Sequence, residues 1–294
     1  MKKHFPILSA ILAAALYALS APLSKLLLAE VPPSMMAAFL YLGAGLGMLS
    51  MSFVREATGH INTEQHLTRR DLPYTLGMIV LDIAAPILLM WGVRMSSPEN
   101  ASLLNNFEIV ATSLIALLVF REKISRQLWA AIGLIVVASI LLTVEGGAGL
   151  QLSAGSVLVL LASSCWGLEN NCTRMLSGSD PQQIVIVKGL GSGAGALIVA
   201  LLSGESFPAP AFIPAALLLG FVAYGLSIFF YVCAQRYLGA AKTSAYYAIA
   251  PFIGVLLSLV IFREMPHWSF FGALAIMIAA TVLVTRDGFD AERS

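Results

Sequence analysis

Four ionisable residues stand where the chain is otherwise apolar enough for lipid: Asp82, Glu108, Glu169 and Lys188. Such groups are expensive at bilayer depth unless they serve a site or pair with one another. Glu108 belongs to the stretch SPENASLLNNFEIVATSLIALLVFRE, Ser97 to Glu122. On a helix, Asn105, Glu108 and Thr112 fall at i, i+3 and i+7, a polar stripe on an apolar rod. A carboxylate there is a candidate proton carrier or counter-ion for a cationic substrate; the plainer reading is a structural hydrogen bond. Glu169, with Asn170 beside it, shares a helix face with Trp166 and Thr173. A ring beside a carboxylate suits an amine or ammonium group through cation–π attraction and ion pairing, unless Glu169 is an interfacial residue near the end of its span. Asp82, with Pro86 one turn on, either lines the same cavity or pairs with a basic neighbour. Lys188 either binds a substrate carboxylate or holds one of the three acids. Tyr246 and Tyr247, one turn before Pro251, complete the candidates together with Tyr17.

The elements that carry these residues read as membrane spans. The chain has 294 residues, 59% hydrophobic and 11% charged, with a mean hydropathy of +0.86. A soluble domain holds about a quarter charged residues. The net charge of +1 excludes the broad basic face that nucleic acid requires. Cys165, Cys172 and Cys233 lie in apolar segments without a Cys-x-x-Cys or Cys/His grouping, so they read as packing residues. No metal site and no cofactor is expected. There is no Walker motif, HExxH or GxSxG, and hence no support for a pump driven by ATP or for an enzyme.

Runs of roughly 20 apolar residues fall at 4–28, 33–54, 72–94, 101–120, 127–144, 152–176, 182–203, 212–236, 240–262 and 267–285. The first run follows Lys2-Lys3 but continues past the Ala-Leu-Ser-Ala that imitates a cleavage site, and reads as an uncleaved span. Only 55–71 is long enough to be a sizeable polar loop. With a cytoplasmic N-terminus, thirteen of the seventeen Lys and Arg collect on the cytoplasmic side. Lys25, Arg94 and Arg263 lie outside and Lys188 within a span, so both termini are expected in the cytoplasm. Pro22, Pro86 and Pro251 mark expected bends, since a proline in a span frees a carbonyl.

The second half repeats the first. Slid by 142 residues, Arg94 meets Arg236, and Phe120-Arg121-Glu122 meets Phe262-Arg263-Glu264. In the opening spans the shift is 149, laying Tyr17, Pro22, Lys25 and Pro32 on Trp166, Asn171, Arg174 and Pro181. Glu108 meets Ala250, and Phe39 stands where the second half has Lys188. Five spans per repeat is an odd number, so the halves, 1–146 and 147–294, enter the membrane in opposite senses. The fold expected is an all-α integral membrane protein of ten transmembrane helices in two inverted five-helix repeats, with a site near the midplane and alternating access. Gly43/Gly47, Gly189/Gly193 and Gly191/Gly195 give the small-xxx-small spacing of closely packed helices.

Two five-span halves, each with Phe-Arg-Glu after its fourth span, and the Pro181…Lys188 spacing resemble the EamA-type transporters of the drug/metabolite transporter superfamily. That resemblance implies a multi-pass inner-membrane carrier of amino acids, metabolites or small organic ions. The expected function is a secondary carrier of a small polar metabolite such as an amino acid or amine, an exporter by preference, with proton coupling plausible through Glu108. Export of drugs or quaternary cations competes with that reading, and a channel is a weaker alternative. Three acids against one base deep in the spans lean towards an amine-bearing substrate. The expected partners are the small-molecule substrate and the lipid bilayer, with a monomer or homodimer left open.

Overall fold

The computed structural model describes residues 5–58, 64–120, 125–146, 150–263 and 268–290. Arg121, Glu122 and Glu264 of the repeated motif, Lys2 and Lys3, and residues 147–149 lie outside the described residues.

The described chain is helical apart from one small antiparallel turn. In order, α1 is Phe5–Tyr17, α2 Ser20–Leu27, α3 Pro33–Ala57 and α4 Leu72–Met95. They are followed by α5 Pro98–Leu104, α6 Phe107–Phe120 and α7 Arg126–Thr143. Strands β1 (Val144–Gly146) and β2 (Leu150–Leu152) pair with Val144 opposite Leu152. Then come α8 Ala154–Leu176, α9 Pro181–Leu202, α10 Ile213–Gly220, α11 Ser227–Tyr247, α12 Ala250–Phe262 and α13 Trp268–Asp290.

Among the described residues, five helical runs are long and apolar enough to cross a membrane: Phe5–Leu27, Pro33–Ala57, Arg69–Met95, Pro181–Leu202 and Pro210–Leu238. Shorter apolar helices lie at Trp129–Leu141, Ala250–Phe262 and Trp268–Leu283. Helix α8 is long enough but carries Glu169, Asn170, Asn171, Thr173 and Arg174 in its second half, and α5–α6 is interrupted. Asp82 and Lys188, by contrast, stand in α4 and α9, two of the clear membrane-length runs.

Helix ends are set by local chemistry. Asp180 accepts from the Gln182 amide at the start of α9, and the Glu205 carboxylate receives the Ser34 and Met35 amides at the start of α3, at 3.1 and 2.8 Å. The Lys25 ammonium caps the other end of α4, donating to the carbonyls of Val93, Arg94 and Ser96 at 2.7–3.0 Å. Two of the three expected proline bends coincide with breaks. The chain leaves helix at Ala18–Leu19 before Pro22, and at Ala248–Ile249 before Pro251, while α4 runs through Pro86.

Two expectations need correction. The eighth and ninth spans were expected to divide between Arg236 and Ala240, but α11 continues to Tyr247. Nothing at 237–240 removes a backbone N–H; the missing donor is Pro251, and the break lies just ahead of it. Nor do Asn105, Glu108 and Thr112 share one helix. The chain tightens at Asn105–Asn106, where the Asn106 amide reaches Leu103 O and the Glu108 amide reaches Asn105 O, three residues back. That overwinding turns α5 and α6 relative to each other and separates Asn105 from Glu108.

Helices pair across the halves: α3 on α9, α4 on α8, α1 on α11 and α7 on α13. The α3–α9 contact needs glycine on both sides, since a Cβ at Gly189 would lie 2.4 Å from the Gly45 nitrogen. On its neighbouring face α9 turns Gly191 and Gly195 towards Ile79 and Ile83 of α4.

Candidate functional site

Helices α1, α3, α4, α6, α8, α9 and α11 bring the polar candidates to one place. Their centre is an ion cluster. The Lys188 ammonium lies 3.0 Å from Asp82 Oδ2 and 2.9 Å from Glu169 Oε1, and all three side chains are at most 5% exposed. Asp82 Oδ1 accepts from the Tyr41 hydroxyl at 2.8 Å and the Trp166 indole N–H at 3.1 Å. The Thr173 hydroxyl donates to Glu169. Every partner of Asp82 comes from another helix, so α3, α8 and α9 are all tied to α4 through one carboxylate. A buried pair of this kind survives because its lone pairs are filled by further donors.

Beside the cluster lies a narrow, partly open cavity of about 50 Å³, lined in part by Glu108, Trp166, Glu169, Asn170 and Lys188. Glu108 receives a hydrogen bond from the Asn170 amide group, and among the described residues no cation is recorded in a salt bridge with it. The remaining wall is aromatic. Tyr17 meets Trp166, Tyr224 and Tyr247 with ring centroids 6.2, 5.7 and 5.7 Å apart. Tyr41 packs on Tyr224 and Tyr231 on Tyr247. The Ser20 hydroxyl donates to the Tyr224 hydroxyl at 3.1 Å. Tyr224 sits in a π-helical turn, Phe221–Leu226, between α10 and α11. A π turn adds a residue to the helical circuit and re-aims the side chains around it, a device common at functional sites.

Of the sequence candidates, Glu108, Trp166, Glu169, Asn170, Tyr247, Lys188 and Tyr17 line this cavity, with Asp82 in the cluster beneath them. Tyr246 is not among the lining residues, and Asn105 lines a smaller neighbouring cavity instead. Tyr41 carries no sequence signal, while Tyr224 and Tyr231, at i and i+7 on one face of the eighth span, read equally well as lipid-interface anchors. The signal for Tyr224 was present: the 142-residue shift lays it on Asp82. No such relation marks Tyr41. Among the described residues there is no group of His, Cys, Asp or Glu able to hold a metal ion, and the three cysteines are free.

A polar, partly charged cavity wrapped in apolar membrane-length helices defines a multi-pass membrane protein of the transport class. A profile of the EamA-like transporter family matches residues 4–144 and again 153–286. The chain belongs to the EamA-like transporter family. An uncharacterized transporter of Methanothermobacter thermautotrophicus is 26% identical over 283 residues, covering 90% of this chain and 81% of that protein. A solved crystal structure of a protein superposes with a TM-score of 0.71 at 16% identity, covering 99% of this chain and all of the other, a likeness of fold.

Proposed function

We propose that this transporter is a secondary carrier for a small amine-bearing metabolite, such as an amino acid or amine, bound in the aromatic cavity beside Glu108. The observation that carries this reading is the cavity's unequal charge: Asp82, Glu108 and Glu169 face the single Lys188. Lys188 sits between Asp82 and Glu169, which leaves Glu108 with an amide as its partner. An ammonium group entering the cavity would meet Glu108 and the faces of Tyr17, Trp166 and Tyr247, gaining ion pairing and cation–π attraction where water is scarce. Glu108 also serves as the proton carrier if transport is coupled to protons.

The scaffold in this reading is ten transmembrane helices in two inverted halves, 1–146 and 147–294. The carrier sits in the inner, plasma membrane with both termini in the cytoplasm. The cross-half helix pairs and the double match to the family profile support it. Alternating access by rocking of the halves about the central cavity follows from that symmetry, and export is the preferred direction. The cavity's size favours a metabolite over a bulky drug cation.

The test is flux into proteoliposomes of radiolabelled amino acids, polyamines and quaternary amines, for wild type and Glu108→Gln. Saturable amine flux that Glu108→Gln abolishes is expected. Flux confined to anions or uncharged solutes, or flux untouched by Glu108→Gln, would overturn it.

A further inference from the structure

The three helix breaks meet at a second, smaller cavity. It has room for about one water-sized sphere, about 10 Å³, and is lined by Tyr17, Ser102, Asn105, Pro251 and Gly254, among others. Two side-chain oxygens here are buried and have no hydrogen-bond partner: Ser102 Oγ, on a residue 3% exposed, and Asn105 Oδ1, on a residue 9% exposed. A third oxygen is the Ala18 carbonyl. Pro22, four residues further on, has no N–H to offer it. Glycine at position 254 leaves room between these groups. A Cβ added there would fall 2.8 Å from Ser102 Oγ and 3.3 Å from Ala18 O.

Buried acceptors without donors are costly, and a cluster of them on interrupted helices is the pattern by which membrane carriers hold a small cation. The ligands are neutral oxygens, which suits a single positive charge, and the space admits one bare ion of about a water's size. Only Tyr17 is shared with the main cavity, whose surplus of carboxylates adds a favourable field. We infer that Ser102 Oγ, Asn105 Oδ1 and Ala18 O form a second site, for a small monovalent cation: a bare alkali ion or the ammonium head of a substrate. The site lies behind Tyr17 and is separate from the amine site beside Glu108.

The experiment is thermal unfolding of the full chain in lipid nanodiscs, in the absence of transported substrate, so that the result is independent of the flux test. Sodium, potassium, methylammonium and choline chlorides are titrated at constant total chloride. A saturable rise in Tm with an alkali ion, absent in choline, identifies a coupling ion. A rise with methylammonium alone identifies a subsite for the substrate head. In either case Ser102→Ala should raise the half-saturating concentration about tenfold, the weight of one hydrogen bond to a charged group. Gly254→Ala, whose methyl occupies the space, should abolish the response. Identical Tm curves in all four salts mean that water alone fills the cavity and overturn the proposal. So does a cation response that neither variant changes.

Discussion

Two of the seams that join the halves of this protein are built on equivalent positions with opposite chemistry. Between α4 and α8 stand Asp82, Trp166 and Glu169, with Lys188 reaching in from α9. The residues related by the repeat shifts are Tyr224, Tyr17, Ser20 and Phe39, and three of them meet between α1 and the helix carrying Tyr224. One seam is held by an ion cluster, the other by edge-on rings, the Ser20–Tyr224 hydroxyl pair and the Ser227 hydroxyl donating to Ala13 O. The neutral seam shows that the architecture does not need buried charge at these positions. The charge is therefore an addition to one side, and it is retained at a desolvation cost of several kcal/mol per ion before pairing.

The sharpest way to break the comparison is to remove the cation. Lys188→Met would leave Asp82 and Glu169 facing each other without compensation. A loss of about 3–5 kcal/mol in folding stability is expected, read by chemical denaturation in detergent micelles. Copying the neutral seam should then rescue the fold. The triple variant Asp82→Tyr, Glu169→Ser, Lys188→Phe should be markedly more stable than Lys188→Met and inactive in flux. A triple variant no more stable than Lys188→Met would mean that the two seams are not interchangeable.

The next largest effect belongs to Glu108, whose counterpart is Ala250. Glu108→Gln preserves shape and the contact with Asn170 while removing a charge that has no recorded ionic partner among the described residues. Normal folding is expected, with amine flux down about ten- to a hundredfold, the weight of a lost hydrogen bond or ion contact to a charged group, or else made independent of pH. Flux across a pH series in proteoliposomes measures it. Unchanged flux and pH profile would make Glu108 a structural partner of Asn170 and move the search to Glu169.

How much of this was legible beforehand depended on which residue types carry a sequence signal. Charges inside apolar runs are conspicuous, so Asp82, Glu108, Glu169 and Lys188 stood out, and the repeat exposed the lack of a charged counterpart for Glu108 and Lys188. Tyrosines are ambiguous because the same residue suits a lipid interface and a cavity wall, which is why Tyr41 went unnoticed and Tyr246 was placed beside Tyr247. Helical spacing assumes an uninterrupted helix. The tight turn at Asn105–Asn106 violates that assumption, so one polar stripe became two sites on different cavities. Membrane crossing was legible for the longest apolar runs, and hardest to read for α8, whose polar residues are those that serve the cavity.

The seam between α3 and α9 pairs equivalent helices with each other, and it sharpens the comparison because at Gly45 and Gly189 the contact is backbone against backbone. Here steric fit is the variable. Gly189→Ala would set a methyl 2.4 Å from Gly45 N and 2.6 Å from its Cα, atoms of backbone that cannot rotate away. The helices must separate, at an expected cost of about 1–3 kcal/mol. Ala at the open position Gly133, where a Cβ meets nothing within 4 Å, should cost nothing measurable. Equal thermal stability of the two variants would show that the close approach is not needed.

The smallest effect is expected at the ends of the charged comparison, where Arg94 and Arg236 occupy equivalent positions. Arg94 is exposed and lies over the Trp91 ring at 5.9 Å. Arg236 is engaged more fully. Its guanidinium makes two hydrogen bonds to the Glu64 carboxylate, at 2.8 and 3.0 Å, and donates to the carbonyls of Ser177 and Ser179 beyond the end of α8. Glu64 comes from the loop between α3 and α4, which also offers Gln65 O to the Asp180 amide. The ion pair therefore pins this loop over the turn between α8 and α9. Both side chains remain partly in water, 21% and 39% exposed, so solvent and salt screen the attraction. Glu64→Gln keeps a hydrogen bond and loses only the charge. A loss of less than about 1 kcal/mol is expected, shrinking further in 1 M salt. Arg236→Gln should cost more, because it also strips donors from two carbonyls with no comparable role at Arg94. Thermal unfolding of Glu64→Gln, Arg236→Gln and Arg94→Gln at low and high salt ranks the three. If Arg94→Gln costs as much as Arg236→Gln, the two ends are mechanically alike, and the asymmetry of the molecule is confined to its centre.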